Sequence, residues 1–138
     1  MFECNIAPVP PCKAQTLPHA MISRTLASAS LKPMVLAILE HEAEYGYRII
    51  QRIQDLSGGD IEWTTGTLYP FLHGLENEGL VRGYWETVEN APRRKYYALT
   101  PAGKKAAAFE RKQWIRVNAM LSQLWGPDRP VQPVFVTA

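Results

Sequence analysis

The sequence predicts a mainly α domain of α+β class, in which three helices precede a β-hairpin and one long helix closes the chain. Three observations predict it. Apolar residues recur at helical spacing in three runs between Ser30 and Gly79. Two runs rich in aromatic and β-branched residues follow, separated by the turn-forming "ENAP". Beyond Thr100 and Pro101, the residues Trp114, Val117, Leu121 and Leu124 alternate spacings of three and four, a short heptad seam.

Each element has its own local reason. Residues 1–28 are expected to form a disordered or partly helical extension: the stretch to about Leu17 is proline-rich and lacks periodicity. Ile22, Leu26 and Ala29 have helical spacing, which allows a short helix or an extension of the next one. In "SLKPMVLAILEHE", Ser30 is the expected cap, and Pro33 falls in the first turn, where its missing N–H costs nothing. Val35, Leu36, Ile38 and Leu39 make this helix apolar nearly all round, as a central core helix must be. In "EYGYRIIQRIQDLSGG", Ile49, Ile53 and Leu56 recur with Ile50 beside them, and Gly58 and Gly59 stop the helix. "GTLYPFLHGLENEGL" carries Leu68, Leu72 and Leu75 as a stripe flanked by Phe71. Thr64 or Thr65 caps its start, Gly79 ends it, and Pro70, His73 and Asn77 point away from the stripe.

"LVRGYWETV" and "RRKYYALT" form the antiparallel hairpin. Thr100 caps and Pro101 opens the last helix, which runs to about Trp125 and stops before "GPDRP". The order is that of a winged helix-turn-helix over residues 29–100 with a C-terminal helical arm over 101–125. Residues 126–138 are a loose tail.

The totals exclude several classes. A chain of 138 residues is one ordinary domain with or without tails, and 46% hydrophobic with 20% charged residues describes a soluble globular protein. Net charge is only +2, so a nucleic-acid binder would have to concentrate its positive charge locally. Cys4 and Cys12 make no disulfide framework, and with His19 they fall short of a four-ligand metal spacing, so no metal and no cofactor is expected. They read as free thiols in a reducing compartment. No stretch approaches the ~20 apolar residues that span a bilayer, and the N-terminus lacks the pattern of a secretory signal, so a cytoplasmic location without a membrane partner is expected. His19, His41 and His73 are scattered, and neither paired carboxylates nor a nucleophile motif stands out. An enzyme is not expected.

Between Leu36 and Gly103, "LAILEHEAEYGYRIIQRI", "GTLYPFLHGLENEGLV" and "RRKYYALTPAG" resemble three successive signatures of the PadR family of bacterial and archaeal transcription regulators. The resemblance covers about half the chain. It implies a winged helix-turn-helix homodimer that represses genes on a palindromic double-stranded operator until a small molecule releases it. A single helix after the wing is similar to the short, multidrug-sensing branch, in which that helix builds the dimer interface and takes flat aromatic effectors. The resemblance makes Trp114, in "QWIRVNAML", a wall of that effector cavity, with Ala107, Glu110, Val117 and Asn118 as neighbours. Trp114, Val117, Leu121 and Leu124 then form the dimer seam. The alternative is that Trp114 only fills the dimer core.

The same resemblance makes Gly66–Glu78 the recognition helix, which enters a major groove with its N-terminal side chains. Thr65, Thr67, Tyr69 and His73 are the polar groups it offers, and Gly66 allows close approach to a phosphate. Pro70 cannot bond the Gly66 carbonyl, so the first turn is expected to be kinked or tightened; alternatively, Pro70 sits in a first turn that starts near Thr67. The alternative for Tyr69 is packing against the wing. Arg93, Arg94 and Lys95 place three positive charges at the hairpin tip, with Arg94 facing away from its neighbours. They suit phosphate contact or minor-groove insertion, or else form a solvated edge. Tyr47, with Tyr45 and Lys32, matches a region near the DNA backbone. Gly74 stands where the family has a basic residue, and Trp63 replaces a smaller aliphatic. The rival reading is a winged-helix module that binds protein and not DNA.

Overall fold

A helix that is apolar round most of its surface needs several neighbours, and the chain supplies them in sequence order, leaving only the side of Ala37, Glu40 and His41 exposed. The structure, a computed structural model, describes residues 22–126; the expected free thiols Cys4 and Cys12, His19 and the tail from residue 127 lie outside the described residues. Its elements are α1 (Arg24–Ala29), α2 (Leu31–His41), β1 (Glu44–Tyr45), α3 (Gly46–Ser57), α4 (Thr65–Asn77), β2 (Val81–Glu86), β3 (Arg94–Leu99) and α5 (Pro101–Trp125). The expected order of helices, hairpin and closing helix is borne out.

α2 is the axis of the core. Leu31, Val35, Leu36, Ile38 and Leu39 are all buried on it, and Ile49, Ile50 and Ile53 of α3 and Leu68, Leu72 and Leu75 of α4 close around it. Ile61, Val81, Tyr97 and Ala107 complete this cluster from the loop, the sheet and α5. Leu56 is an exception to its periodicity: it is 76% exposed at the end of α3. The left-handed cap at Gly58 follows it (φ 64°), and the chain turns away before anything packs on Leu56. Ser30 also departs from expectation. Its hydroxyl donates to the carbonyl of Ala27, at 2.9 Å, and leaves the start of α2 without a side-chain cap. α1 and α2 meet at this residue, so the hydroxyl serves the end of one helix and not the beginning of the next. α1 is a separate short helix, capped by Ser23, whose oxygen accepts from the Leu26 N–H at 3.1 Å.

The sheet is three-stranded and antiparallel, in the order β1-β3-β2. β3 pairs with β2 from Val81 opposite Leu99 to Glu86 opposite Arg94. β1 adds Glu44 and Tyr45 opposite Tyr97 and Tyr96. No expectation covered β1, because two residues are too short for a period of two to register. Glu44 is buried there, and that burial, with Glu42 adding repulsion, pushes its carboxyl above the usual carboxylate range against the pull of Arg48 and Arg52.

The start of α5 is pinned to the end of α4. Thr100 Oγ1 accepts from the Gly103 N–H at 3.0 Å, as an N-cap does, and donates to the Gly79 carbonyl at 2.6 Å. The Thr100 N–H donates to the Leu80 carbonyl at 3.0 Å. Gly103 is buried, and a Cβ there would overlap the Leu80 carbonyl oxygen and stand 3.0 Å from Leu99 Cδ2. Further along, Arg111 Nη2 donates to both oxygens of Glu40, each at 2.7 Å, tying α5 to α2.

Two outcomes are expected. Gly103→Ala forces a side chain against backbone that cannot swing aside, and lowers unfolding stability in urea by about 2 kcal/mol or more. Glu44 holds its proton more tightly in the folded state than in the unfolded one, so its contribution is present at low pH and is lost as pH rises through its raised folded value. Glu44→Gln removes that loss, and urea titrations between about pH 4 and 7 should show the variant gaining on the wild type as pH rises.

Candidate nucleic-acid interface

α4 divides its residues between two tasks. Leu68, Leu72 and Leu75 face the core, while Thr65, Gly66, Thr67, Tyr69, Pro70 and His73 are exposed. The helix begins at Thr65, after the N-cap Thr64, so Pro70 is its sixth residue and stands beyond the first turn. The Thr64 carbonyl accepts from both the Thr67 N–H (3.0 Å) and the Leu68 N–H (2.9 Å), which tightens the first turn. Pro70 denies the Gly66 carbonyl its usual donor four residues on, and at exposed Gly66 that carbonyl has access to solvent. A Cβ at Gly66 would meet only Thr64 Oγ1, at 3.7 Å, and one at Gly74 would meet nothing. Neither glycine is demanded by packing within the chain.

Tyr69 does not pack on the wing alone. Its ring lies over the bare backbone of Gly46, where a Cβ would come within 2.7 Å of the Tyr69 Cε1, Cζ and hydroxyl oxygen. The first residue of α3 thereby sets the height of an exposed α4 side chain. "EYGYR" carried this signal as a glycine between two tyrosines, but the partner of that glycine is 23 residues away, and no local pattern reveals it.

Between α4, the start of α3 and the hairpin lies an open cleft of about 720 Å³. Tyr69 and His73 line it from α4, Tyr45, Tyr47 and Gln51 from the segment leading into α3, and Trp85, Arg93, Arg94, Lys95 and Tyr97 from the hairpin. Among these residues there is no carboxylate. Three cations, Arg93, Arg94 and Lys95, gather here in a chain whose net charge is only +2.

The three cations are placed differently. Arg94 pairs with Glu86 and Lys95 with Trp85, so the two face opposite sides of the sheet. Arg93 precedes β3, and its guanidinium lies 5.0 Å from the centre of the Trp85 ring. Arg94 lies 4.5 Å from the centre of the Tyr45 ring. Tyr45 meets Tyr96 edge to face at 5.4 Å, and Tyr96 stacks on Tyr84 at 5.9 Å. Lys95 is already engaged: its Nζ is 3.3 Å from Glu76 Oε1, while the Gly83 N–H donates to Glu76 Oε2 at 3.2 Å. Glu76 therefore clasps α4 to both strands of the hairpin. An ion pair this open is worth about 1 kcal/mol or less, so its effect is to orient the hairpin more than to hold it.

The second candidate surface is α5. Gly103, Ala107, Glu110, Trp114, Val117, Leu121 and Leu124 follow one another at spacings of four and three, a single stripe along the helix. Gly103 and Ala107 are buried in the chain's own core and Glu110 is half-buried, while Trp114, Val117, Leu121 and Leu124 are exposed, Leu124 to 81%. Phe109, Met120 and Trp125 widen the apolar surface on either side of that stripe, and Asn118 is exposed near it. Trp63 is half-buried against the core and also borders a groove beneath α1; its indole N–H is buried and finds no acceptor among the described residues. Among the described residues no helix is long and apolar enough to cross a membrane, and no group of three or more His, Cys, Asp and Glu is placed to hold a metal.

Gly46→Ala should separate the exposed face of α4 from the fold. The added methyl meets the far end of a movable side chain, so thermal stability changes by less than about 1 kcal/mol. Tyr69 is displaced, and affinity for duplex DNA falls several-fold, measured by fluorescence anisotropy.

Comparison with known proteins places this geometry. The transcriptional regulator PadR-like family matches residues 35–108, which hold α4, the whole hairpin and the Thr100–Gly103 junction. A transcriptional regulator of Mycobacterium tuberculosis is 39% identical over 77 residues, covering 56% of this chain and 71% of its own length. A PadR family regulator of Eggerthella lenta superposes with a TM-score of 0.63 at 29% identity, over 73% of this chain and 86% of that one. A PadR family regulator of Clostridium difficile does so with a TM-score of 0.62 at 26% identity, over 70% and 99%.

Proposed function

We infer, from the premise that this chain belongs to the transcriptional regulator PadR-like family, that it works as a homodimeric repressor of a palindromic operator, released by a flat aromatic effector. Membership makes it a DNA-binding transcriptional regulator and not an enzyme. The repression, the pairing and the release are the proposal.

The observation that carries it is the stripe on α5. A single helix face that is buried in the chain's own core at Gly103 and Ala107 continues as an uncovered apolar surface from Trp114 to Leu124. Water is a poor neighbour for so much contiguous apolar area, and a second copy is self-complementary to it under a two-fold axis. The arc is wider than the two-position seam of a simple coiled coil, which suits contact with more than one partner helix. Pairing places two α4 helices at half-sites about one turn, ~10 bp, apart. Thr65, Thr67, Tyr69 and His73 offer contacts to base edges, and Gly66, Pro70 and the freed carbonyl between them lie beside the backbone. Tyr47, Arg93, Arg94 and Lys95 flank it electrostatically, Lys95 through the clasp with Glu76.

In such a dimer the two Trp114 side chains approach across the axis, with Glu110, Val117 and Asn118 around them. Planar cationic compounds stack on indole, and Glu110 offsets their charge. An effector that prefers a different tilt of α5 shifts the pair away from the DNA-binding spacing. Thr100 and Gly103 join that tilt to the end of α4 without an intervening flexible segment.

The paired substitution Val117→Asp with Leu121→Asp tests the reading. Light scattering should report single chains with unchanged circular dichroism, and gel shift on the DNA upstream of the chain's own gene should weaken at least ~100-fold. Paired chains in the variant, or wild-type single chains with and without DNA, would refute the arrangement.

A further inference from the structure

The groove beneath α1 has a volume of about 1000 Å³ and shares no lining residue with the cleft beside the hairpin. Ile22, Arg24 and Ala27 line it from α1 and its approach, and Asp60, Glu62 and Trp63 line it from the loop between α3 and α4. Two features of this lining have no partner within the chain. The Trp63 indole N–H is buried and finds no acceptor among the described residues. A donor left in that state costs about 1–3 kcal/mol, and native folds seldom leave one so. Arg24, Asp60 and Glu62 bring both signs of charge to the same space, yet none of the three enters an ion pair among the described residues.

The two sides of the groove differ in firmness. Ile61 is buried between the two carboxylates. Its N–H donates to the Ser57 hydroxyl at 3.0 Å, and the Asp60 N–H donates to the Ser57 carbonyl at 3.1 Å. The loop is thus fixed before any ligand arrives, which lowers the cost of binding. α1 buries none of its six residues. It is the side that can yield to admit an acceptor to the shielded indole N–H.

We propose that this groove binds a small zwitterion with an apolar side chain, of the class of a free α-amino acid or a short peptide. Its carboxylate accepts from Arg24 and from the Trp63 N–H, its ammonium group donates to Asp60 and Glu62, and its side chain packs on Ile22 and Ala27. A simple anion would meet two carboxylates, and a simple cation would leave Arg24 and the indole N–H without an acceptor. A ligand carrying both charges serves all four groups with charge-assisted hydrogen bonds. The groove is of the size that small ligands occupy. The site is separate from the α5 stripe and needs no duplex, so it does not depend on the proposed function.

The experiment follows the Trp63 indole N–H of the full-length chain by heteronuclear NMR, its resonance assigned with Trp63→Phe. The probes are L-leucine and leucyl-leucine; the controls are leucinamide, which lacks the carboxylate, and N-acetyl-leucine, which lacks the ammonium group. At least one probe should shift the resonance saturably with Kd below about 5 mM, and the tighter of the two tells a free amino acid from a peptide. Both controls should bind about 10-fold more weakly. Arg24→Gln, and Asp60→Asn combined with Glu62→Gln, should each weaken the better probe by about 10-fold. None of these three side chains is buried, so the fold is retained. The inference is overturned if neither probe saturates in that range, which would leave a bound water as the partner of the N–H. It is also overturned if either control binds as tightly as the zwitterions, or if either charge variant keeps wild-type affinity.

Discussion

The contact on which most of the arrangement depends is the approach of α5 to the backbone of Leu80. There is no room for a side chain at Gly103, and the Thr100 hydroxyl, bonded on both sides, fixes the angle at which the helix leaves the sheet. That corner joins three parts: the end of α4, the edge of β2 and the first turn of α5. A helix of 25 residues acts as a lever. A small change in its direction at Gly103 becomes a large displacement at Leu124, and the reverse also holds. Coupling of this kind needs stiffness at the pivot, and contact of backbone with backbone is stiffer than any contact between side chains.

A second set of contacts holds α3, α4 and the hairpin in register with one another. Tyr69 rests on Gly46, and Glu76 holds Gly83 and Lys95, so α3, α4 and the hairpin cannot shift independently. The aromatic series from Tyr45 through Tyr96 to Tyr84 gives the sheet a firm outer face despite strands of only two to six residues. Recognition of a duplex requires side chains placed before the encounter, because ordering them on contact lowers affinity.

The helices were readable from sequence because burial on one face imposes a period of 3.6 residues. Val35, Leu36, Ile49, Ile53, Leu68 and Leu72 all obey it. Leu56 obeyed the same period and is nonetheless exposed, since periodicity reports which side a residue is on and not whether a neighbour reaches that far. Ser30 was misread because a serine between two helices has two possible partners, and sequence order does not choose between them. In the interface, the exposed face of α4 was readable as the residues opposite the leucine stripe. Gly46 beneath Tyr69, Glu76 between the strands and Trp85 beneath Arg93 were not, since each depends on a partner distant in sequence or on a side-chain stacking that alternation alone does not reveal. The charge cluster was visible as "RRK", but the separate placement of its three members emerges only from the pairing of β3 with β2.

The two buried glycines that accommodate close neighbours differ in what opposes a side chain, and this has a genetic consequence. Every codon one base away from glycine that encodes another amino acid adds a Cβ, so neither position has a mild first step. At 103 the obstacle is main chain, so the cost of any substitution falls on the fold itself. At 46 the obstacle is a ring that can rotate away. There the fold survives the change, and its cost falls on the exposed face of α4 instead.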